Sequence, residues 1–225
     1  MQGDTPSDRY RAEYHYGSKE APHTGNYLWG HIISLCEALR ARRVVDIGCG
    51  NGALCRELAS RGYEVVGCEP STEGLRFAQD AAPQLVFHEL GADDDPSPIG
   101  NESFDVAIAT EVIEHLVRPR NLPRFAGQLL RPGGHLIIST PYHGYLKNLV
   151  LALSNKWDAH LNPFWDSGHI KFWSYKTLSQ LLNESGFRIV RFIGAGRLPF
   201  LWKSMIVVAQ KREASDQLIN GDSLG

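Results

Sequence analysis

Between residues 27 and 40, Leu28, Ile32, Leu35 and Leu39 recur on one helical face. From Arg43 onward the pattern changes to short continuous apolar runs alternating with amphipathic stretches. The runs at 44–47, 64–68, 85–89, 104–110 and 135–139 predict strands. The stretches at 53–61, 73–82 and 123–130 predict helices, stopped by Gly62, Pro83 and Pro132-Gly133-Gly134 in turn. Val112, Ile113 and Leu116 predict another helix directly after the fourth strand, and 91–100 reads as turns. A helix over 177–185, capped by Gly186, leads into late strands at 188–193 and 205–209. Strands apolar on both faces and separated by helices imply an α/β fold, a mostly parallel sheet covered on two sides.

Residues 142–175 interrupt this alternation with a concentration of aromatics and histidines. An insertion after a strand's C-terminal end lies where open α/β sheets bind ligands, so this one is expected to form a lid over a substrate. Within it, 145–153 (YLKNLVLAL) is expected to pack as core or lid. The alternative, a helix resting on a membrane, has one lysine and no basic cluster for electrostatic anchoring. Residues 1–26 read as an irregular entry segment, 27–211 as one domain and 212–225 as a flexible tail.

Charge and cysteine usage narrow the function classes. The 225 residues carry 23 basic and 25 acidic side chains, a net −2, which argues against a nucleic-acid binder relying on a basic face. No apolar run is long enough to span a bilayer, and the N-terminus lacks a secretory apolar stretch. Cys36, Cys49, Cys55 and Cys68 show no CxxC spacing, so buried free thiols in a reducing compartment, the cytoplasm, are expected.

The chemistry concentrates at Asp46-Ile47-Gly48-Cys49-Gly50-Asn51-Gly52, joining the first strand to the following helix. Glycines let such a loop turn tightly and approach a ligand, and the helix behind it offers unpaired N–H groups. Glu69 ends the second strand, where a carboxylate can accept hydrogen bonds from both hydroxyls of a ribose. Together they imply a nucleoside-containing ligand. Gly48, Gly50 and Ala53 also fit dinucleotide spacing, which keeps a nicotinamide oxidoreductase as an alternative. Against it, Gly52 falls one place early for that helix packing, and no Tyr-x-x-x-Lys pair occurs.

VVDIGCGNG at 44–52, Glu69-Pro70-Ser71, Phe104-Asp105-Val106 and Leu130-Arg131-Pro132-Gly133-Gly134, in this order, resemble the class I S-adenosylmethionine-dependent methyltransferases. Glu111-Val112-Ile113-Glu114-His115-Leu116 with Gly168-His169-Ile170-Lys171-Phe172 is similar to the O-methyltransferases of ubiquinone biosynthesis. The resemblance implies a Rossmann-like sheet of seven strands with the last antiparallel. It implies that Asp46, Gly48, Cys49 and Gly50 hold the methionine part of the cofactor, and that Glu69, beside Pro70, holds the ribose. Ala92 and Asp93 would meet adenine, and Thr110 and Glu111 would floor the pocket.

Methyl transfer then requires alignment and removal of a proton from the acceptor. Glu111, Glu114 and His115, at i, i+3 and i+4 of the expected helix, would share one face and could bind a divalent metal that lowers the pKa of a hydroxyl. The metal-free device is a histidine base, His143 first and His169 second. These readings make the chain an O-methyltransferase of a small molecule. N- or C-transfer, or a catalytically silent cofactor-binding protein, fits the same residues, which leave the acceptor and the oligomeric state open.

Overall fold

The computed structural model describes residues 20–161, 164–165 and 168–213. The chain runs through α1 (Gly25–Ala38), β1 (Arg43–Ile47), α2 (Ala53–Ser60), β2 (Glu64–Cys68), α3 (Thr72–Ala81), β3 (Val86–His88) and β4 (Phe104–Thr110). It continues through α4 (Asn121–Leu129), β5 (Leu130–Pro141), α5 (Tyr145–Leu153), α6 (Trp157–Leu161), α7 (Tyr175–Glu184), β6 (Phe187–Ala195) and β7 (Ser204–Lys211). One seven-stranded sheet results, ordered β3-β2-β1-β4-β5-β7-β6. The pairs among β1 to β5 are parallel, while β7 lies antiparallel to both β5 and β6. The expected Rossmann-like sheet and its late hairpin are both present.

Continuous apolar runs arise because the sheet is buried on both faces. Neighbouring residues of one strand enter opposite cores: Val44, Val106 and Ile137 pack with Leu28, Ile32 and Leu58, whereas Val45, Ala107 and Ile138 pack with Phe125, Leu129 and Leu182. All four cysteines are free and buried, as their spacing implies. Among the described residues, no helix is long and apolar enough to cross a membrane.

The helix expected after β4 does not form. Only a 3₁₀ turn, Ile113–His115, is present, and Glu111 stands at φ 55°. Its N–H donates to both the carbonyl and the hydroxyl of Ser139, each at 3.1 Å, holding Glu111 out of a helix. The Glu114 carbonyl is meanwhile taken by the N–H groups of Ile170 and Lys171. Long-range partners therefore replace the local i to i+4 ladder.

The fifth strand is longer than its apolar run, because Pro132-Gly133-Gly134 lies within β5 at a shift of register against β4. The 145–153 stretch is helical, but Lys147 is its one buried residue, while Tyr145, Leu146, Leu149, Val150 and Leu153 are exposed. Its expected packing as core is thereby reversed. Of the predicted entry segment and tail, 1–19 and 214–225 lie outside the described residues.

Candidate active site

The sheet order reverses between β1 and β4, so the connections after these strands diverge and leave a crevice at their C-terminal ends. A cavity of about 610 Å³ opens there. Asp46, Gly48, Cys49, Gly50, Glu69, Pro70, Ala92, Asp93, Thr110 and Glu111 all line it. The structure thus gathers into one place every residue expected at the cofactor.

Local geometry explains the glycine loop. Gly48, at φ 76°, faces Val112, whose Cγ2 would lie 2.6 Å from a Cβ placed on residue 48. Its N–H and that of Cys49 both donate to the Cys68 carbonyl, at 2.8 and 2.9 Å. Glu69 is 3% exposed and accepts the Gly50 N–H at 2.8 Å through Oε2 and the Ser71 N–H at 2.9 Å through Oε1. A carboxylate offers about four acceptor positions, so these two amides do not by themselves fill it. The loop is bare where a ligand must approach and braced where it must not move. Such a cradle, ending in a buried acidic group, fits the amino-acid and sugar parts of S-adenosylmethionine.

Beneath the loop, burial pushes Asp46 up to about 7, against the Cys55 thiol that donates to its Oδ2 at 3.4 Å, and the Glu69 carboxylate adds to the rise. A cationic ligand would draw Asp46 back to its charged form. At the floor, Glu111 accepts from Ser139 at 2.8 Å and from Ser204 at 3.2 Å. Because Ser204 gives its one proton to Glu111, the Tyr27 hydroxyl, 3.3 Å away, donates to Ser204. Burial still lifts Glu111 to about 7. At the rim, Asp93 accepts from Asn121 at 2.6 Å, and its neighbour Asp94 caps the turn through Gly91.

The metal set expected from helical spacing is regrouped. Glu111 is engaged with the two serines, whereas Glu114, His115 and His169 bring one ligand atom each to within 4.8 Å of one another. Glu114 is fully buried; Thr140 donates to its Oε2 at 3.0 Å, while its Oε1 has no hydrogen-bond partner among the described residues and lies 3.9 Å from His169 Nε2. Burial, with Glu111 nearby, holds this carboxyl well above its usual range. One carboxylate and two imidazoles around an orphaned buried oxygen form a donor set that fits a divalent transition metal. His169 and His115 line the cavity. His143 does not: it is packed behind the wall against His160 and Phe172, with its Nδ1 3.4 Å from Asn148 Oδ1.

A family model described as a methyltransferase domain matches residues 21–191. The chain belongs to this methyltransferase family. Among curated relatives, the ubiquinone biosynthesis O-methyltransferase of Azorhizobium caulinodans is 31% identical over 151 residues, covering 60% of this chain and 59% of that one. The enzyme of the same name from Burkholderia pseudomallei is 29% identical over 169 residues, covering 72% and 71%. A solved SAM-dependent methyltransferase from Methanosarcina mazei superposes with a TM-score of 0.59 at 24% identity, over 76% of this chain and 92% of that one. The superposition shows a shared fold, and membership of a methyltransferase family leaves the nicotinamide alternative without support.

The methyltransferase cavity also holds residues that sequence reasoning missed. Tyr27, Lys147, Arg197 and Lys203 line it, beside His160 of the histidine-rich insertion, which the sequence already offered as a weaker candidate base. Lys147 carried a legible signal, being the one charge in an otherwise apolar helical stretch. Arg197 and Lys203 carried none, since they flank a hairpin turn that only the tertiary fold brings to the cavity.

Proposed function

We propose that this methyltransferase transfers the methyl group of S-adenosylmethionine to a hydroxyl oxygen of a small molecule. The observation that carries the reading is His169 on the cavity wall, together with the O-methyltransferase names of the relatives. Asp46 and the amides at 48–50 orient the methionine part, and Glu69 accepts from the ribose. Ala92 and Asp93 border the adenine, and Thr110 and Glu111 support the reacting end.

The leaving group, a sulfonium, already carries positive charge, so the protein's work is alignment and proton removal. Burial, reinforced by His115, holds His169 down at about 4, so it is neutral at pH 7 and ready to accept a proton. Against a phenol near 10, full transfer is uphill by about 6 units, about 8 kcal/mol. Against an aliphatic hydroxyl near ~15.7 the gap is about 12 units, about 16 kcal/mol. The acceptor is on this account a phenol or enol, deprotonated as the methyl group moves. In the alternative, metal-dependent device, a divalent cation would be held by Glu114, His115 and His169 and would itself acidify the acceptor hydroxyl, with His169 then a ligand in place of the base.

Two wider elements belong to the same reading. The outward apolar face of α5 supports contact with a lipid surface, and the four buried free thiols support a cytoplasmic setting. The test is transfer of a labelled methyl group to paired phenols, anilines and activated carbon acids. Label on oxygen is the expected result, and label on nitrogen or carbon alone would overturn it.

A further inference from the structure

We infer that the methyl acceptor carries an anionic oxygen group, a carboxylate or a phosphate, held by Lys147 and Arg197 with Lys203 at the rim. The inference rests on the proposed transfer to a small molecule and names that molecule's class. Lys147 is 6% exposed, the one buried residue of a helix whose Tyr145, Leu146, Leu149, Val150 and Leu153 are exposed. Its ammonium has three protons to donate, and the Lys203 carbonyl at 3.3 Å takes one. Among the described residues, none of Lys147, Arg197 and Lys203 forms an ion pair with a carboxylate. Lys203 sits 5.1 Å from the Tyr27 ring centroid. A buried ammonium without a counter-ion is costly, and a chain keeps one where a ligand supplies the missing charge.

Charge is also segregated along the cavity. Asp46, Glu69 and Asp93 come from the ends of β1, β2 and β3 on one side of the sheet, whereas the three cations and His160 come from α5, α6 and the β6–β7 turn, beyond β4 in the strand order. Glu111, which accepts from Ser139 and Ser204, attracts Lys147 across the cavity without forming an ion-pair contact with it. The acidic end suits a sulfonium cation; the basic end suits a different molecule of opposite charge. The positive field there is felt by its neighbours: burial lowers the proton affinity of His160 and of Lys147, and Arg197 adds to both effects.

The test titrates the protein, saturated with S-adenosylhomocysteine, with phenol, 3-hydroxybenzoate and 3-hydroxyphenyl phosphate by ligand-observed NMR. One anionic probe is expected to bind about tenfold more tightly than phenol, and the better of the two distinguishes carboxylate from phosphate. Lys147→Met and Arg197→Ala should each remove most of that preference, while S-adenosylhomocysteine affinity stays near wild type. Arg197 is exposed, so its replacement does not threaten folding. Equal binding of all three probes overturns the inference. So does a loss of S-adenosylhomocysteine affinity in Lys147→Met matching the loss for the anionic probe, which would assign the cations to the cofactor's own carboxylate. No turnover is needed, so this result and the site of methylation are read independently.

Discussion

Glu69 Oε2 and the Gly50 N–H meet at 2.8 Å, so the carboxylate at the tip of β2 braces the loop that follows β1. Glu69→Gln keeps one acceptor oxygen and turns an NH₂ group toward an amide donor. We expect S-adenosylhomocysteine affinity to fall about 10–100-fold, the worth of about 1.5–3 kcal/mol for a hydrogen bond to a charged group, with the melting temperature falling as well. Calorimetric titration and a thermal melt check the two effects. Weakened binding with an unchanged melt would mean that the brace contributes nothing to stability.

Gly48→Ala places a Cβ 2.6 Å from Val112 Cγ2 at a backbone φ of 76°. Both the clash and the left-handed conformation cost stability, the latter about 1–2 kcal/mol. Adding Val112→Ala removes the clash and leaves the backbone cost. Urea unfolding of the single and double variants should therefore show partial recovery in the double, and full recovery would contradict the backbone share.

Asp46 gives a pH dependence with a definite sign. Its folded pKa of about 7 lies above the ordinary carboxylate value of 3.8, so the folded state binds the extra proton. Its share of stability is complete below the unfolded value and is lost as pH rises through about 7. Between pH 6 and 8 the wild type should lose about 1.4 kcal/mol more than Asp46→Asn, about 3–5 °C in melting temperature for a chain of this size. Parallel melting curves for the two proteins across that interval would contradict the assignment.

His169→Ala should lower turnover about 10²–10⁴-fold with cofactor affinity retained, and Glu114→Gln should impair turnover too. Because burial keeps His169 near 4, the acid limb of the wild-type rate profile should lie below pH 5 rather than near 6.5. If EDTA abolishes turnover and a transition-metal salt restores it, the Glu114, His115 and His169 cluster is the place to look for the ion.

Leu149 and Val150 lie on the exposed side of α5. Leu149→Glu with Val150→Lys should leave the melting temperature within a degree or two, since surface changes cost little. The same pair should abolish co-sedimentation with phosphatidylglycerol vesicles. Unchanged sedimentation would remove this face from membrane contact.

What could be read ahead of the structure follows physical lines. The strands were legible because burial on both faces leaves continuous apolar runs such as 104–110, and the cofactor wall was legible because glycine at 48 and 50 answers a backbone demand. The segment after β4 was not, because Ser139, Ile170 and Lys171 decide it from far along the chain, and hydropathy carries only local periodicity. The same distance hid the approach of His169 to Glu114. For α5, the pattern identified an apolar face and could not say which side met the protein. There a single lysine turns inward, and the apolar side turns out.

The most direct measurement is a crystal structure of the protein soaked with S-adenosylhomocysteine. The account predicts density for the ligand in the cavity between β1 and β4, the amino-acid end along 48–50 and both sugar hydroxyls on Glu69. A cavity without that ligand at saturating concentration, or a ribose bound away from Glu69, would contradict it.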